Sequence, residues 1–232
     1  MIRTTMDDVN KLLANKATIL GADEVGYGCL AGSLVVCGVL APKDWNLAGL
    51  NDSKKLSLKK REVMREKLGK LIENKTIKWH LAERSNNVID RSGVAWALKD
   101  AYVEVFNNLH QTDCLIISDG ILKFDNPSVA AYDKVSLVKA DAQIPAVMAA
   151  SILAKTYRDE KMKIMHVIHP EYGWATNVGY GSKEHLDAIW KHGPTPLHRT
   201  SYAPMNHPHF EMDREVFNSI DLAVKAINGK SI

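Results

Sequence analysis

Four acidic residues each close a short apolar run and lie beside small residues rather than basic partners: Asp23, Glu24, Asp119 and Asp141. Carboxylates brought together without cations raise one another's pKa and repel, so such a cluster is favourable mainly when a divalent cation supplies the missing charge. The pattern predicts a site for Mg²⁺ or Mn²⁺. The chemistry that such a site supports is hydrolysis of a phosphodiester bond.

Two of these acids have an equally simple structural interpretation. Asp119 precedes Gly120, and Asp-Gly is a common turn after a strand. Asp141 could cap a helix that begins near Ala142, because Asp is a preferred residue at that position.

The other two acids are neighbours in the chain. Neighbouring residues of a regular strand point to opposite faces, so Asp23 and Glu24 reach one site only if the strand ends there. Gly26 and Gly28 would permit such a bend, because glycine adopts backbone angles closed to other residues.

Length and composition indicate an ordinary globular protein. The chain has 232 residues, 46% of them hydrophobic and 25% charged, enough for one large domain with or without a small appendage. Cys29, Cys37 and Cys114 show no metal-binding spacing and leave one cysteine unpaired, which favours a reducing compartment. The apolar stretches 34–42 and 144–154 are too short to span a bilayer, and the amino terminus lacks an apolar signal core. We expect a cytoplasmic protein without membrane association.

The net charge of +3 is too small to identify a nucleic-acid-binding protein, but the basic residues are unevenly distributed. One segment around a predicted helix at residues 57–71 contains Lys54, Lys55, Lys59, Lys60, Arg61, Arg65, Lys67 and Lys70. This face could follow a phosphate backbone. The alternative is a helix face that is simply solvated.

Hydrophobic periodicity predicts a mixed α/β fold. Strands are predicted at residues 17–25, 34–40, 77–82, 114–118 and 134–138, and helices at 57–71, 86–109, 143–166, 182–191 and 213–228. The first three strands suggest an antiparallel meander and the later ones parallel crossovers, giving a mixed sheet covered by helices. The sequence GPTP at 193–196 separates a main domain, residues 1–192, from a carboxy-terminal helical segment, residues 193–232, packed on it.

A fifth acid, Asp159, is predicted to be structural. It lies four residues from both Lys155 and Lys163 on a predicted helix. An ordinary row of ion pairs on the helix surface explains it, so we rank it below the other acids as a metal ligand.

A series of short motifs resembles the ribonuclease HII family, the type 2 ribonucleases H. The blocks are GADEVGYG at 21–28 with LAG at 30–32, LNDSKKLS at 50–57, SDG at 118–120, KADA at 139–142, AASILAK at 149–155 with RD at 158–159, HP at 169–170, YGW at 172–174, GYG at 179–181, and GPTP at 193–196 with HR at 198–199. These blocks occur in the family's order and cover about residues 20 to 200.

The resemblance implies a ribonuclease H-like fold with a mixed five-stranded sheet. It implies an endoribonuclease that cleaves the RNA strand of RNA–DNA hybrids, and ribonucleotides embedded in duplex DNA, leaving a 3′-hydroxyl and a 5′-phosphate. Asp23, Glu24, Asp119 and Asp141 occupy the positions of the family's metal-binding carboxylates. Two ions, Mg²⁺ or Mn²⁺, are expected during catalysis.

The resemblance also implies a set of substrate-binding residues. The backbone of Gly26 and Gly28 would read the 2′-hydroxyl, and Tyr180 would stack beneath the sugar. Without the flanking motif, a half-buried packing tyrosine would be the preferred interpretation of Tyr180, and the motif reverses that preference. Lys54 and Arg199 match basic positions that hold phosphates, although either could be a surface charge.

The glycine motif departs from the family pattern at one informative position. The family has arginine between the two glycines, whereas this chain has Tyr27, and Cys29 and Ser33 replace two prolines. Tyrosine cannot form the charge-assisted fork that arginine makes with a phosphate, so contact at the RNA–DNA junction should be weaker or differently organised.

Two other functions remain open at this stage. One is a ribonuclease HIII-like enzyme, which carries an additional amino-terminal substrate-binding domain for which the motif at Gly21 leaves no room. The other is a catalytically silent or junction-nonselective hybrid-binding relative, which would gain nothing from four clustered carboxylates. Ser118 and Ser151 have no histidine and acid nearby in sequence to make them nucleophiles. We expect a monomer, and no protein partner is identifiable.

Overall fold

The computed structural model describes residues 4–51, 53–120 and 123–207. Its centre is a five-stranded sheet with the strand order β3-β2-β1-β4-β5. The strands are β1 (Thr18–Val25), β2 (Leu34–Pro42), β3 (Lys78–Arg84), β4 (Cys114–Asp119) and β5 (Lys134–Leu137). Strands β1, β2 and β3 pair antiparallel, whereas β1, β4 and β5 pair parallel. The predicted meander followed by parallel crossovers is confirmed.

Helices cover both faces of this sheet. They are α1 (Met6–Leu13), α2 (Leu58–Glu73), α3 (Asn86–Ser92), α4 (Val94–Leu109), α5 (Pro145–Ile168), α6 (Trp174–Asn177) and α7 (Lys183–His192). One apolar cluster joins alternate β1 residues to α2 and α5. The remaining β1 positions pack with α4 in a second cluster on the opposite face. A third, smaller cluster lies beyond the sheet, where the segment after β1 meets α6, α7 and residues 197–205.

Two helix predictions differ from the structure, and one helix was not predicted. The single helix predicted at 86–109 is two helices, because Gly93 has a φ of +82° and ends the first one. Helix α5 begins at Pro145 rather than 143, so Asp141 does not cap it and the capping interpretation is wrong. Helix α1 was not predicted, although Thr5 and Asp8 form a capping box at its start. The predicted helix at 213–228 lies outside the described residues.

The carboxy-terminal segment predicted from residue 193 is described only as far as residue 207, and no helix occurs in that part. Thr195, His198 and Arg199 are buried, so this stretch packs into the main domain. All three cysteines are buried and free. No helix in the described residues is long and apolar enough to cross a membrane.

Candidate active site

The acidic residues meet where two parallel strands separate. The β1–β4 pairing ends at Ala22 and Ser118, so Asp23 and Asp119 follow side by side at the carboxyl ends of neighbouring strands. Strand β1 continues to Val25 through its pairing with β2. The expected bend between Asp23 and Glu24 is therefore absent.

Asp23 and Glu24 consequently point to opposite faces of β1. Asp23 hydrogen-bonds Ser151 on α5, and Glu24 accepts from Tyr102 on α4. The end of the β1–β4 pairing provides the opening through which both can approach Asp119. The end of the β1–β4 pairing, rather than a glycine bend, places Asp23 and Glu24 within reach of the Asp119 charge.

Asp23 is buried beside two other acids of the group. Burial, followed by repulsion from Glu24 and Asp119, raises its pKa to about 7, although a hydrogen bond from Ser151 acts in the opposite direction. Its Oδ1 accepts a bond of 2.9 Å from the Glu24 amide. A carboxyl group in this position is charged at neutral pH only at considerable cost, so it is suited to a cation.

Glu24 is held by a tyrosine that the sequence did not indicate. The Tyr102 hydroxyl donates to Glu24 Oε2 at 2.5 Å from the fully buried face of α4. Burial raises the pKa of Glu24, the Tyr102 bond lowers it, and Asp119 raises it again. In the sequence Tyr102 is an apolar-face residue among other core residues, so no local pattern marks it.

Asp119 and Asp141 are connected through the turn after β5. The Ala140 amide donates to Asp119 Oδ1 at 2.6 Å, and Asp141 follows within a 3₁₀ turn at Ala140–Ala142. Lys54 Nζ lies 3.4 Å from Asp141 Oδ2 while its side chain is 77% exposed. The structure thus places Lys54 at the edge of the acidic cluster, where it also lowers the pKa of Glu24.

The donor set fits a divalent ion chemically, but the oxygens are engaged elsewhere. Hard carboxylate oxygens are the ligands that Mg²⁺ and Mn²⁺ prefer. Within the described residues, however, no group of three acidic, histidine or cysteine side chains is arranged to hold one ion. Oxygens of Asp23, Glu24 and Asp119 accept bonds from Ser151, Tyr102 and the Ala140 amide. Each of these carboxylates keeps a second oxygen and further lone pairs with which to bind an ion.

The segment after β1 presents a glycine turn at the surface. Gly26 has a φ of +89°, and a Cβ there would lie 2.4 Å from Arg158 Nε, so no other residue fits. A Cβ at Gly28 would meet nothing within 4 Å. Tyr27, between them, is 43% exposed. Internal packing therefore requires glycine at position 26. At position 28 the absence of a side chain leaves the backbone open to close approach by a ligand.

Arg199 is not placed as predicted. It is fully buried, and its guanidinium donates to the carbonyls of Gly26, Tyr27 and Gly32 at 2.5 to 3.2 Å. A guanidinium enclosed in this way does not reach a phosphate, so the predicted phosphate contact is wrong. Arg158, which was matched only as part of a motif, is buried in the same manner.

Tyr180 lies near the glycine turn, and the residue is 43% exposed. Its amide donates to the Asn177 carbonyl at 2.9 Å, and its carbonyl lies 2.8 Å from His185 Nδ1. Its hydroxyl forms a hydrogen bond with the buried Cys29 thiol. Burial is the main cause of the raised pKa of both the Cys29 thiol and the Tyr180 hydroxyl. The ring is thus fixed at its backbone and at its tip while one side stays open.

A buried pair of histidines supports this tyrosine. His185 Nε2 accepts from Trp174 Nε1 at 3.0 Å and lies 3.1 Å from His198 Nε2. His198 Nδ1 accepts from the Thr195 amide at 2.9 Å. Both histidines must be neutral for this chain of donors and acceptors to hold. In agreement, burial lowers the pKa of His198 to about 3.

The basic segment is only partly available to a ligand. Arg61 pairs with Asp159 at 3.2 Å, and Arg65 pairs with Glu160 at 2.8 Å. The segment's lysines are exposed. The predicted structural role of Asp159 is confirmed by its bond of 2.7 Å with Lys155, although its other partner is Arg61 rather than Lys163.

Comparison with known proteins agrees with the motif resemblance. A family model for ribonuclease HII matches residues 20–205. Ribonuclease HII of Clostridium acetobutylicum is 42% identical over 189 residues, which cover 79% of this chain and 71% of that protein. A solved complex of PCNA with RNase HII from Archaeoglobus fulgidus contains a chain 25% identical to this one, with a TM-score of 0.65, covering 80% of this chain and 95% of that one.

The fold comparison extends to more distant structures. Ribonuclease H2 from Pyrococcus horikoshii OT3 is 21% identical, with a TM-score of 0.66 over 88% of this chain and 99% of that one. The mixed sheet with flanking helices is therefore a ribonuclease H-like fold, as expected. The chain belongs to the ribonuclease HII family and is a hydrolase of the endonuclease type.

Proposed function

We propose that this protein is a metal-dependent endonuclease that cleaves the RNA strand of RNA–DNA hybrids and ribonucleotides embedded in duplex DNA. The observation that carries the proposal is the acidic cluster where the pairing of β1 with β4 ends. Repulsion from Glu24 and Asp119, added to burial, raises the pKa of Asp23 to about 7. Such a cluster is costly in a protein that does not bind cations, and membership of the ribonuclease HII family supplies a use for it.

Asp23, Glu24, Asp119 and Asp141 would hold two Mg²⁺ or Mn²⁺ ions. When bound, such ions lower the pKa of a water molecule and stabilise the leaving 3′ oxygen, which gives 3′-hydroxyl and 5′-phosphate products. The Tyr102 hydroxyl holds one oxygen of Glu24 and so orients the other. No protein nucleophile takes part, because Ser118 Oγ pairs with Ser136 Oγ, and Ser151 Oγ with Ser53 Oγ.

Substrate recognition falls to groups around this cluster. Lys54, exposed beside Asp141, supplies a positive charge for a phosphate. The open backbone at Gly28 and the exposed ring of Tyr180 contact the ribose and its 2′-hydroxyl, the group that distinguishes RNA from DNA. Tyr27 lies between the two glycines of the turn and is itself exposed.

Cleavage of a labelled RNA–DNA hybrid tests this function. The wild type should cut the RNA strand with Mg²⁺ or Mn²⁺ and not with EDTA, and Asp119→Asn should retain the fold but lose most turnover. A hybrid-binding protein without activity is the alternative, because no three acidic, histidine or cysteine side chains in the described residues are arranged to hold one ion. Tight binding of the hybrid with no cleavage under any metal condition would establish that alternative.

We further propose that the enzyme acts as a monomer in the cytoplasm. The support for the compartment is chemical, because all three cysteines are buried thiols rather than disulfides.

A further inference from the structure

Two buried arginines lie directly beneath the glycine turn. Arg158 and Arg199 are both fully buried, and neither guanidinium forms an ion pair with a carboxylate in the described residues. A buried cation without a counter-ion is costly unless hydrogen bonds replace the lost water. Here the replacement comes from backbone carbonyls.

The carbonyls that bind these guanidiniums belong mainly to one segment. Arg199 donates to Gly26 O at 2.5 Å, to Tyr27 O at 2.7 Å and to Gly32 O at 3.1 Å. Arg158 donates to three further carbonyls: Ala31 O at 2.9 Å, Ser33 O at 2.8 Å and Val178 O at 2.7 Å. The two cations therefore fix the peptide orientations at residues 26–27 and 31–33, and Arg158 joins this turn to Val178, shortly before Tyr180.

The inward carbonyls determine where the amides point. In a trans peptide the C=O and the following N–H lie on opposite sides. Because Gly26 O and Tyr27 O point inward to Arg199, the amides of Tyr27 and Gly28 point outward. The amides of residues 29–32 donate to Gly26, Gly179 and Leu197 carbonyls. Those of Tyr27 and Gly28 have no such acceptor within the described ranges, and both residues are exposed.

We propose that Arg199 is a positioning residue for substrate selection: it holds the Tyr27 and Gly28 amides outward as paired donors to the ribonucleotide. Its bonds to the carbonyl ends of these peptides also polarise them, which strengthens the N–H groups as donors. Arg158 acts in support by fixing the far side of the same turn. This inference rests on the proposed function, because it assumes that the turn faces a ribonucleotide.

The test measures the preference in binding for a ribonucleotide-containing duplex over an all-DNA duplex, rather than cleavage activity. Affinity is measured in EDTA for a duplex with one ribonucleotide and for the identical all-DNA duplex, and the ratio of the two Kd values is compared among variants. Loss of folded protein weakens both affinities equally and leaves the ratio unchanged. Arg199→Lys keeps the charge but loses the planar fork, so the ratio should fall about fivefold to tenfold, the equivalent of about one hydrogen bond.

A milder variant and a control complete the design. The Tyr202 hydroxyl donates to Tyr27 O at 3.2 Å, so Tyr202→Phe should lower the ratio in the same direction by a smaller factor while the arginine stays in place. Arg84→Lys is the control, because Arg84 pairs with Asp100 and Glu104 on α4. It should destabilise the protein without changing the ratio.

The outcomes separate the inference from the proposed function. If the wild type discriminates and a folded Arg199→Lys variant, together with Tyr202→Phe, keeps the full ratio, Arg199 has no positioning role. An equal fall of the Kd ratio in the Arg84→Lys control would also overturn the positioning role of Arg199. If the wild type neither prefers nor cuts ribonucleotide-containing duplexes, the proposed function itself fails.

Discussion

Replacing Asp23 with asparagine should stabilise the metal-free protein while removing its activity. Asparagine keeps the size of the side chain and can still accept from the Glu24 amide, but it carries no charge. Asp23 has a pKa of about 7 against an ordinary value of 3.8, because it is buried and repelled by Glu24 and Asp119. That difference corresponds to roughly 4 kcal/mol as an upper limit, and we expect about 2 kcal/mol after local relaxation.

The sign of the pH dependence follows from the raised pKa. The folded state binds the Asp23 proton more tightly than the unfolded state. The loss of folding stability caused by the charged Asp23 is therefore fully present above pH 7 and disappears as the pH falls toward 3.8. Urea denaturation in EDTA should show Asp23→Asn more stable than the wild type at pH 8, with the difference vanishing near pH 4. A variant that is equally or less stable at pH 8 would show that the cluster is not under electrostatic strain.

Three other substitutions test separate parts of the site. Tyr180→Ala should lose about 1–3 kcal/mol of substrate binding, the range for stacking on nucleic acid, and Tyr180→Phe should lose less; equal binding by all three proteins would make Tyr180 a packing residue. Tyr27→Arg should tighten binding at low salt and steepen its salt dependence, because it adds a phosphate contact; an unchanged slope in a salt series would place residue 27 away from the substrate backbone. His198 has a pKa of about 3, below its ordinary value of 6.5, so its contribution to stability is present above pH 6.5 and is lost as the pH falls. Between pH 8 and pH 5 the wild type should therefore lose about 2 kcal/mol relative to His198→Gln in urea denaturation, and parallel curves would contradict the neutral histidine pair.

The sheet could be predicted because each strand carries its own signal. The β-branched runs mark all five strands, and their spacing distinguishes the antiparallel meander from the parallel crossovers. The helix predicted at 86–109 failed at Gly93 because a glycine inside an apolar helical pattern does not reveal a positive φ. Short helix α1 was missed because its signal is a cap rather than an apolar stripe.

The acidic cluster was predictable from residue type, but its geometry was not. Asp23 and Asp119 converge because the pairing of β1 with β4 stops after Ala22, which is a property of two strands far apart in sequence. The same limit applies to Arg199, which reads as a surface charge beside a turn. Its burial depends on carbonyls more than 160 residues away in the chain. Long-range partners of this kind leave no local pattern.

The most direct test of the central claim is the chemical nature of the cut ends. A duplex with a single embedded ribonucleotide is incubated with enzyme and either Mg²⁺, Mn²⁺ or EDTA, and the products are resolved by end-group analysis. We predict cleavage only with metal, 3′-hydroxyl and 5′-phosphate ends, and loss of both products in Asp23→Asn and Asp119→Asn. Cleavage in EDTA, or ends carrying a 2′,3′-cyclic phosphate, would contradict the account, because they would show that the ribose hydroxyl rather than water attacks the phosphorus.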